Sequence, residues 1–292
     1  MMWNNNVKNI KQLLELINQA DALVLGIGSG MTAADGIGYT GTRFEQNFSD
    51  FIEKFKFLDM LQASVYHFEN IQNYWAFHSR FMELNYFNQL PSQSFINLKK
   101  FLDNKNFFII TTNSDNALEA ANFDDKKIFY IQGKYNLLQC KSMCHNKRYS
   151  MDNVVRQMIH EQKNMLVPLE IIPHCPVCGD FLEVNKRLKE KGMVEDEQFF
   201  IEKQRYLDFI DQHKNKKILF WEIGVGYSTP MLIKHPFWNM TQQYPNSLYV
   251  AMNNRTYRIP NEIKNQTIVI NTDIKHVIEN LIKEEDDFSR TN

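Results

Sequence analysis

The chain has 292 residues, of which 43% are hydrophobic and 23% are charged, and its formal net charge is −1. This composition is ordinary for a globular protein with a sizeable core, and it lacks the basic excess of a nucleic-acid-binding protein. No apolar run has the length of a membrane span, and the N-terminal sequence lacks the apolar region of a signal peptide. We therefore expect a cytoplasmic protein, with no nucleic-acid or membrane partner, whose four cysteines are reduced.

The first half of the chain alternates between helix-like and strand-like segments. Residues 7–19 carry apolar side chains at helical spacing, which predicts an amphipathic helix. The apolar run at 22–28 ends in glycines, as a buried parallel strand does when it leads into a phosphate-binding loop. Alternating strands and helices predict an α/β fold with a Rossmann-like parallel sheet. Further strands are predicted at 107–112, 128–131, 218–221, 248–252 and 267–270, and a helix is predicted at 273–283.

Two segments interrupt this alternation. Residues 50–90 are rich in Phe, Tyr and Trp at helical spacing, and residues 135–216 contain all four cysteines. The sequence therefore predicts a small zinc-binding plus helical domain made of these two insertions. The Rossmann domain is then assigned residues 1–49, 91–134 and 217–292.

The first candidate site is the Gly-Ile-Gly-Ser-Gly segment at 26–30, directly after the first predicted strand. Glycines let a backbone turn sharply and approach a pyrophosphate, whose charge is favoured at a helix N-terminus. A tight strand-to-helix turn without a ligand is the alternative interpretation. The ribose-binding acid expected about twenty residues further on in an ordinary dehydrogenase is not evident.

The four cysteines form two close pairs, Cys140 with Cys144 and Cys175 with Cys178. Each pair can direct two thiolates at one metal ion, and two pairs complete a tetrahedral zinc site. Such a zinc ion would be structural because four thiolates leave no position open for water. Four buried free thiols are the alternative. The neighbouring His145 and His174 could replace a ligand, although exposed loop positions are expected for both.

Polar or glycine residues follow four of the predicted strands, at 111–115, 132–133, 222–226 and 253. Open α/β sheets bind ligands at the carboxyl ends of their strands, so this convergence predicts a ligand site. For the segment 111–115 alone, a helix N-cap at Ser114 or Asp115 explains the residues equally well.

In this order, the motifs resemble those of the sirtuin family over most of the chain. Gly-Ser-Gly-Met-Thr at 28–32 resembles the first NAD-binding loop of the family, and Thr-Asn-Ser-Asp at 112–115 resembles its Gln-Asn-Ile-Asp motif. The cysteine pairs resemble its zinc ribbon, Gly-Val-Gly at 224–226 stands where the family has Gly-Thr-Ser, and Asn253 stands where an asparagine binds the adenosine ribose. The resemblance implies that NAD binds between a Rossmann domain and a small domain.

Three departures from the sirtuin pattern are informative. Gln132-Gly133 replaces a His-Gly pair whose histidine is the general base of deacylation, and a glutamine amide cannot carry that proton. Residues 183–187 replace the Val-x-Phe-Gly-Glu segment that clamps an acyl-lysine peptide. Residues 38–43 replace a Pro-Asp-Phe-Arg motif, of which only Arg43 has a counterpart.

These departures resemble the class M sirtuins, a microbial branch associated with macrodomain proteins. The similar stretches are Asn113 together with Gln132, and residues 191–195, 221–226 and 234–238. The resemblance implies ADP-ribosylation of a lipoylated glycine-cleavage H-like carrier protein. It also implies a macrodomain protein as the functional partner that reverses the modification.

We therefore predict NAD-dependent mono-ADP-ribosyl transfer to a protein side chain. Asn113 and Gln132 would orient the nicotinamide ribose and the nucleophile, and Asp115 would hold the carboxamide of nicotinamide. The predicted cofactor-binding residues are Gly28, Ser29, Gly30, Met31, Thr32, Arg43, Thr112, Gly224, Val225, Gly226, Asn253 and Asp273.

Two other hypotheses remain open from the sequence. One is an enzyme that deacylates proteins with an unusual base such as Glu222 or that hydrolyses NAD, although Glu222 is expected to be a satisfied, partly buried carboxylate. The other is a non-catalytic sensor of NAD or ADP-ribose. His78, His160 and His213 are expected to be solvated because they lie on polar, helix-like stretches.

Overall fold

The computed structural model describes residues 10–291, and describes side chains as far as residue 287. Among these residues, no helix is both long and apolar enough to cross a membrane. The strands are β1 (Ala22–Ile27), β2 (Phe107–Thr111), β3 (Ile128–Tyr130), β4 (Leu137–Cys140), β5 (Tyr149–Ser150), β6 (Leu182–Val184), β7 (Ile218–Ile223), β8 (Leu248–Asn253) and β9 (Thr267–Asn271). The helices are α1 (Ile10–Asn18), α2 (Ser29–Ala33), α3 (Thr42–Phe55), α4 (Met60–Ser64), α5 (Ile71–Met82), α6 (Gln93–Leu102), α7 (Ala117–Ala120), α8 (Asp152–Glu161), α9 (Glu197–His213), α10 (Lys234–Gln243) and α11 (Ile274–Thr291).

The six apolar runs that were predicted as strands form one parallel sheet in the order β3-β2-β1-β7-β8-β9. The α/β prediction is therefore confirmed. Strands such as β1 and β7 are buried along their whole length because helices cover both faces of the sheet. Helices α1, α6 and α11 pack on one face, and α9 and α10 pack on the other. The predicted helix at 7–19 is observed over Ile10–Asn18, and its first three residues lie outside the described part.

The chain reverses its direction of winding between β1 and β7. It proceeds from β1 through β2 to β3 on one side, then crosses back to add β7 on the other side of β1. The loops that follow β1 and β7 therefore lie at the point where the direction of winding changes, at the carboxyl ends of these strands. In open α/β sheets, ligands bind at such a switch point.

The two insertions share a second hydrophobic core, which we call the aromatic core. Side chains of α3 and α5 meet there, with the rings of Phe48 and Phe77 4.9 Å apart and those of Phe51 and Phe77 5.5 Å apart. The antiparallel sheet β5-β4-β6 closes this core and contributes Cys140. Helix α9, by contrast, packs on the parallel sheet although the sequence assigns 135–216 to the zinc module. The domain boundaries themselves stay a prediction.

The expected solvation of two histidines is wrong. His78 is 1% exposed because α5 lies inside the aromatic core, where the ring of Tyr74 stands 4.2 Å from that of His78. His213 is buried at the end of α9, and its ring nitrogens lie 2.7 Å from the Phe209 carbonyl oxygen and 3.0 Å from the Asn106 amide. His160 is exposed, as expected.

Candidate functional site

The glycine-rich loops after β1 and β7 pack directly against each other. The amide of Gly30 donates to the carbonyl of Gly224 at 3.0 Å, and a Cβ on Gly30 would lie 2.7 Å from the Gly224 Cα. Gly224 itself has a φ of +64°, and a Cβ there would lie 2.4 Å from the Met31 amide nitrogen. Glycine is therefore required at both positions by loop packing alone. Helix α2 begins at Ser29, so the tight strand-to-helix turn considered from the sequence is present.

A cavity of about 400 Å³, the strand-end cleft, opens above these loops. It is bounded by the ends of β1, β2, β3 and β7 on one side and by the α4 region and the segment after β6 on the other. The predicted site residues that line it are Ser29, Thr112, Asn113, Gln132, Val225 and Gly226. The sequence did not single out Tyr39, Tyr135, Ser228, Thr229 and Lys186, which line it too. Tyr39 and Lys186 lie in the segments 38–43 and 183–187, which the sequence marked only as departures from the sirtuin pattern, and the fold brings all five residues to the cleft.

Asn113 is fixed at the floor of the strand-end cleft. Its side-chain amide donates to the Thr32 hydroxyl at 2.9 Å and to the Gly28 carbonyl at 3.3 Å. Its backbone amide donates to the Thr111 hydroxyl at 3.0 Å. Within residues 10–291 the side-chain oxygen accepts no hydrogen bond, so it is available to a ligand.

Gln132 follows β3, the strand next to β2, and its amide nitrogen donates to the Thr229 hydroxyl at 3.0 Å. The following residue, Gly133, has a φ of +84°, and a Cβ there would lie 2.6 Å from the carbonyl oxygen of Asn185. The Gln-Gly pair therefore needs its glycine because the segment after β6 passes directly beneath it. This contact ties Gln132 to the segment that carries Lys186.

The carboxylate of Asp115 is 2% exposed and lies behind Asn113. It accepts hydrogen bonds from the Ala117 amide at 3.0 Å, the Tyr39 hydroxyl at 3.3 Å and the Thr32 hydroxyl at 3.4 Å. Burial raises the pKa of Asp115 to about 6, although these donors and the nearby Arg43 guanidinium act in the opposite direction. Asp115 therefore changes charge within the range of ordinary assay pH.

Eight of the twelve predicted cofactor-binding residues do not line the strand-end cleft: Gly28, Gly30, Met31, Thr32, Arg43, Gly224, Asn253 and Asp273. Five of them lie in the loops after β1 and β7 or in α2. Arg43 donates to the Asn85 side chain at 2.8 Å and to the Leu84 carbonyl at 3.0 Å, and so joins the start of α3 to the helical turn that follows α5. Asn253 donates to the Val225 carbonyl at 3.2 Å and supports the loop after β7. Asp273 accepts from the His276 amide at 2.9 Å and caps α11. Their roles towards a nucleotide stay predictions.

Glu222 forms a buried ion pair with Lys234, and each side chain is 1% exposed. The Tyr249 hydroxyl donates to the same carboxylate at 2.7 Å. Burial raises the pKa of Glu222, while Lys234 and Tyr249 lower it. The expectation of a satisfied carboxylate is met, and the pairing leaves Glu222 without access to the cleft.

We expect Lys234→Met to lower the free energy of unfolding by about 3–5 kcal/mol because it leaves the Glu222 carboxylate buried without its cation. Urea denaturation of the variant measures this loss. The double variant Glu222→Gln/Lys234→Met should recover most of it because neither charge then remains. A double variant as unstable as the single one would contradict the ion-pair explanation.

The four cysteines come together at the edge of the small sheet, as predicted. Their sulfur atoms lie within 4.8 Å of one another, with Cys140 and Cys178 at 3.5 Å and Cys144 and Cys175 at 3.6 Å. Four thiolates at about 2.3 Å from a tetrahedral zinc ion stand about 3.8 Å apart, so the arrangement fits that ion. His145 lies beside the cluster, 3.0 Å from the Cys144 sulfur, whereas His174 is exposed.

Sequence comparison identifies two relatives of the chain that are ADP-ribosyltransferases by name. No protein-family model matches it. A protein ADP-ribosyltransferase of Staphylococcus aureus (strain Mu50 / ATCC 700699) is 48% identical over 278 residues, which cover 95% of this chain and 88% of that protein. A probable bifunctional ADP-ribose hydrolase/ADP-ribosyltransferase of Fusarium oxysporum f. sp. cubense is 26% identical over 241 residues, which cover 76% of this chain and 38% of that longer protein.

Solved structures of Sir2 enzymes have the same fold. A complex of Sir2 with a p53 peptide and NAD+ aligns with a TM-score of 0.57 at 17% identity, covering 95% of this chain and 98% of the other. A structure that addresses the mechanism and regulation of Sir2 enzymes aligns with a TM-score of 0.61 at 16% identity, covering 96% and 98%. The chain therefore belongs to the protein ADP-ribosyltransferases and has the fold of the sirtuins.

Proposed function

We propose that the strand-end cleft binds NAD and transfers its ADP-ribosyl group to a side chain of an acceptor protein. The observation that carries this proposal is the chemistry of the cleft wall. Three carboxamides, Asn113, Gln132 and Gln62, line the cleft, and no histidine, aspartate or glutamate is among its described lining residues. Such a wall can orient groups through hydrogen bonds, but it lacks the histidine that serves as the general base of deacylation in the sirtuin pattern.

NAD supplies the ADP-ribosyl group and releases nicotinamide when the glycosidic C1′–N bond breaks. In the proposed arrangement, the free side-chain oxygen of Asn113 orients the ribose or the nucleophile, and Gln132 positions the same groups from the end of the neighbouring strand. Ser29, Val225 and Gly226 hold the phosphates through backbone amides. Asp115 lies behind the lining of the cleft and accepts hydrogen bonds from the Tyr39 and Thr32 hydroxyls. The proposal that it also accepts the hydrogen bonds of the nicotinamide carboxamide rests on the resemblance to the sirtuins. Positioning of this kind accelerates a reaction without proton transfer by the enzyme.

The pH dependence of nicotinamide release tests the role of Asp115. Ionised Asp115 is the better hydrogen-bond acceptor, so we expect activity to fall as the pH drops through about 6, where the carboxylate takes up a proton. Tyr39→Phe removes an O–H donor that favours the ionised form and should shift this acid limb to higher pH. Tyr135→Phe is the matched control because Tyr135 contacts Tyr39 but makes no hydrogen bond to the carboxylate. An acid limb that Tyr39→Phe leaves in place would contradict the role.

The proposed acceptor is a lipoylated glycine-cleavage H-like carrier protein, with a macrodomain protein as the partner that removes the modification. The support is the resemblance to class M sirtuins, together with the fungal relative whose name combines an ADP-ribose hydrolase with an ADP-ribosyltransferase. The proposal also includes a cytoplasmic location, in keeping with four cysteines that form no disulfide.

Transfer from labelled NAD tests the proposed function. Incubation with the lipoylated carrier, or with a cell lysate, should place label on protein. Label on no protein, together with formation of O-acyl-ADP-ribose from an acyl-lysine peptide, would favour deacylation instead. Deacylation with Glu222 as the base has little support because that carboxylate is buried against Lys234. Release of nicotinamide from excess NAD, lost in Asn113→Ala, would eliminate a non-catalytic sensor.

A further inference from the structure

Lys186 carries a positive charge without a counter-ion at the boundary between two cavities. It lines the strand-end cleft and also a larger neighbouring cavity of about 640 Å³, which we call the outer cavity. Within the described residues 10–287, no carboxylate oxygen lies within the 4.0 Å ion-pair distance of its Nζ. Glu183, the acid whose charge acts on it, is paired with Lys191 at 2.5 Å.

Two acceptors hold the Lys186 ammonium in place. It donates to the backbone carbonyl of Ser64, and it lies 3.3 Å from Nε2 of the buried His78. Burial and the Lys186 charge lower the pKa of His78 well below its usual value, so the imidazole is neutral and accepts the hydrogen bond. An ammonium has three N–H donors, and in the described part of the chain only these two have partners.

The neighbouring Arg187, unlike Lys186, has a carboxylate partner. It pairs with Glu195 at 2.6 Å and donates to the Ile131 carbonyl at 3.3 Å. Its charge is therefore compensated, and it joins the segment after β6 to the end of β3. Lys186 and Arg187 are the charged residues among the described lining of the strand-end cleft. Among the described residues that line the cleft, Lys186 is therefore the charged residue without a counter-ion.

The position of Lys186 relative to Gln132 is fixed by the residue before it. Asn185 is fully buried, donates to the Gln139 side chain at 2.7 Å, and packs its backbone beneath Gly133. Lys186 is half-buried, and burial around its ammonium lowers its pKa to about 7. An anion that binds at this ammonium would supply the missing counter-ion through a charge-assisted hydrogen bond.

We propose that Lys186 binds a carboxylate on the acceptor protein, so that an acidic side chain guides the acceptor segment into the strand-end cleft. The inference rests on the proposed function and adds the chemistry by which its acceptor is recognised. The pyrophosphate of NAD is the other source of an anion. The acceptor is favoured because Lys186 also lines the outer cavity, where Phe68, Tyr74 and Phe181 offer apolar surface and no residue of the glycine loops takes part.

The Michaelis constants of Lys186→Met test this inference with the lipoylated carrier as acceptor. Loss of a charge-assisted hydrogen bond should raise the acceptor KM about tenfold or more and change the NAD KM less than twofold. Lys203→Met, which removes an exposed charge from α9 and lines neither cavity, is the matched control and should leave the acceptor KM unchanged. A rise in the NAD KM instead would assign the charge to the dinucleotide, and an equal effect in Lys203→Met would show unspecific attraction. Either result overturns the inference.

Binding of a tetraglutamate peptide, measured by calorimetry, tests the inference even if the carrier is not the acceptor. Wild type should bind it more tightly than tetraglutamine, and Lys186→Met should lose the difference. Binding should weaken above about pH 7 because Lys186 then loses its proton. The groups around its ammonium are His78, Glu183, Lys191 and the Tyr74 ring. Equal binding by both proteins overturns the inference, whereas absent transfer to the carrier contradicts only the proposed acceptor. Lys186→Met should melt at or above the wild-type temperature because it removes a buried charge.

Discussion

Cys175→Ser is expected to abolish stoichiometric zinc binding and to prevent stable folding of the aromatic core. Cys175 is buried, and its sulfur lies 3.6 Å from that of Cys144 in the four-cysteine cluster. Cys140 and Cys175 belong to the aromatic core, so loss of the metal there removes a tether that joins β4 to the loop before β6. In zinc-finger peptides such a site contributes about 10–16 kcal/mol to folding, which exceeds the stability of most domains.

Metal analysis and thermal unfolding check this expectation. Wild type should contain one zinc ion per chain, and a chelator should lower its melting temperature. Val177→Ser is the matched control because Val177 lies between Cys175 and Cys178 but is 65% exposed. Wild-type protein without zinc, or Cys175→Ser that melts like Val177→Ser, would contradict a structural metal.

The second large effect is expected at Gln132. Gln132→Ala should lower the transfer rate about a hundred- to thousandfold, as the loss of one preorganised hydrogen-bonding group does in other active sites. The side chain is half-buried and its amide has one protein partner, Thr229, so the fold should be little affected. Single-turnover rates of ADP-ribosyl transfer measure the effect at saturating NAD.

Thr229→Val separates positioning from direct action at this site. It keeps Gln132 and removes only the hydroxyl that receives its amide at 3.0 Å. We expect an intermediate loss, about tenfold, because the glutamine can then adopt other rotamers. A Gln132→Ala enzyme with wild-type transfer would show that this amide takes no part in the reaction.

Local patterns in the sequence were sufficient for the sheet and for the cysteine cluster. Short apolar runs such as 218–221 that alternate with helix-like segments predict buried parallel strands, and the spacing within each cysteine pair predicts a shared metal site. Because each parallel strand ends at the same edge, Asn113, Gln132 and Gly226 could be assigned to one cleft without any knowledge of their contacts.

Features that depend on distant partners were missed. His78 was expected to be solvated, but its environment is set by the aromatic core and by Lys186, 108 residues away. Lys234 looks like a surface lysine, yet it is buried by Glu222 and by the ring of Tyr257, 4.7 Å from its Nζ. The burial of such side chains depends on packing against segments that are remote in the sequence, so the residue pattern within one segment does not predict it.

Intact-mass spectrometry of the lipoylated carrier, after incubation with the enzyme and NAD, tests the central claim most directly. We predict that the carrier gains the mass of one ADP-ribosyl group with wild type and that, in the same time, only a small fraction of it gains this mass with Gln132→Ala. An unmodified carrier, in a reaction where wild type converts NAD and an acyl-lysine peptide to O-acyl-ADP-ribose, would contradict the account.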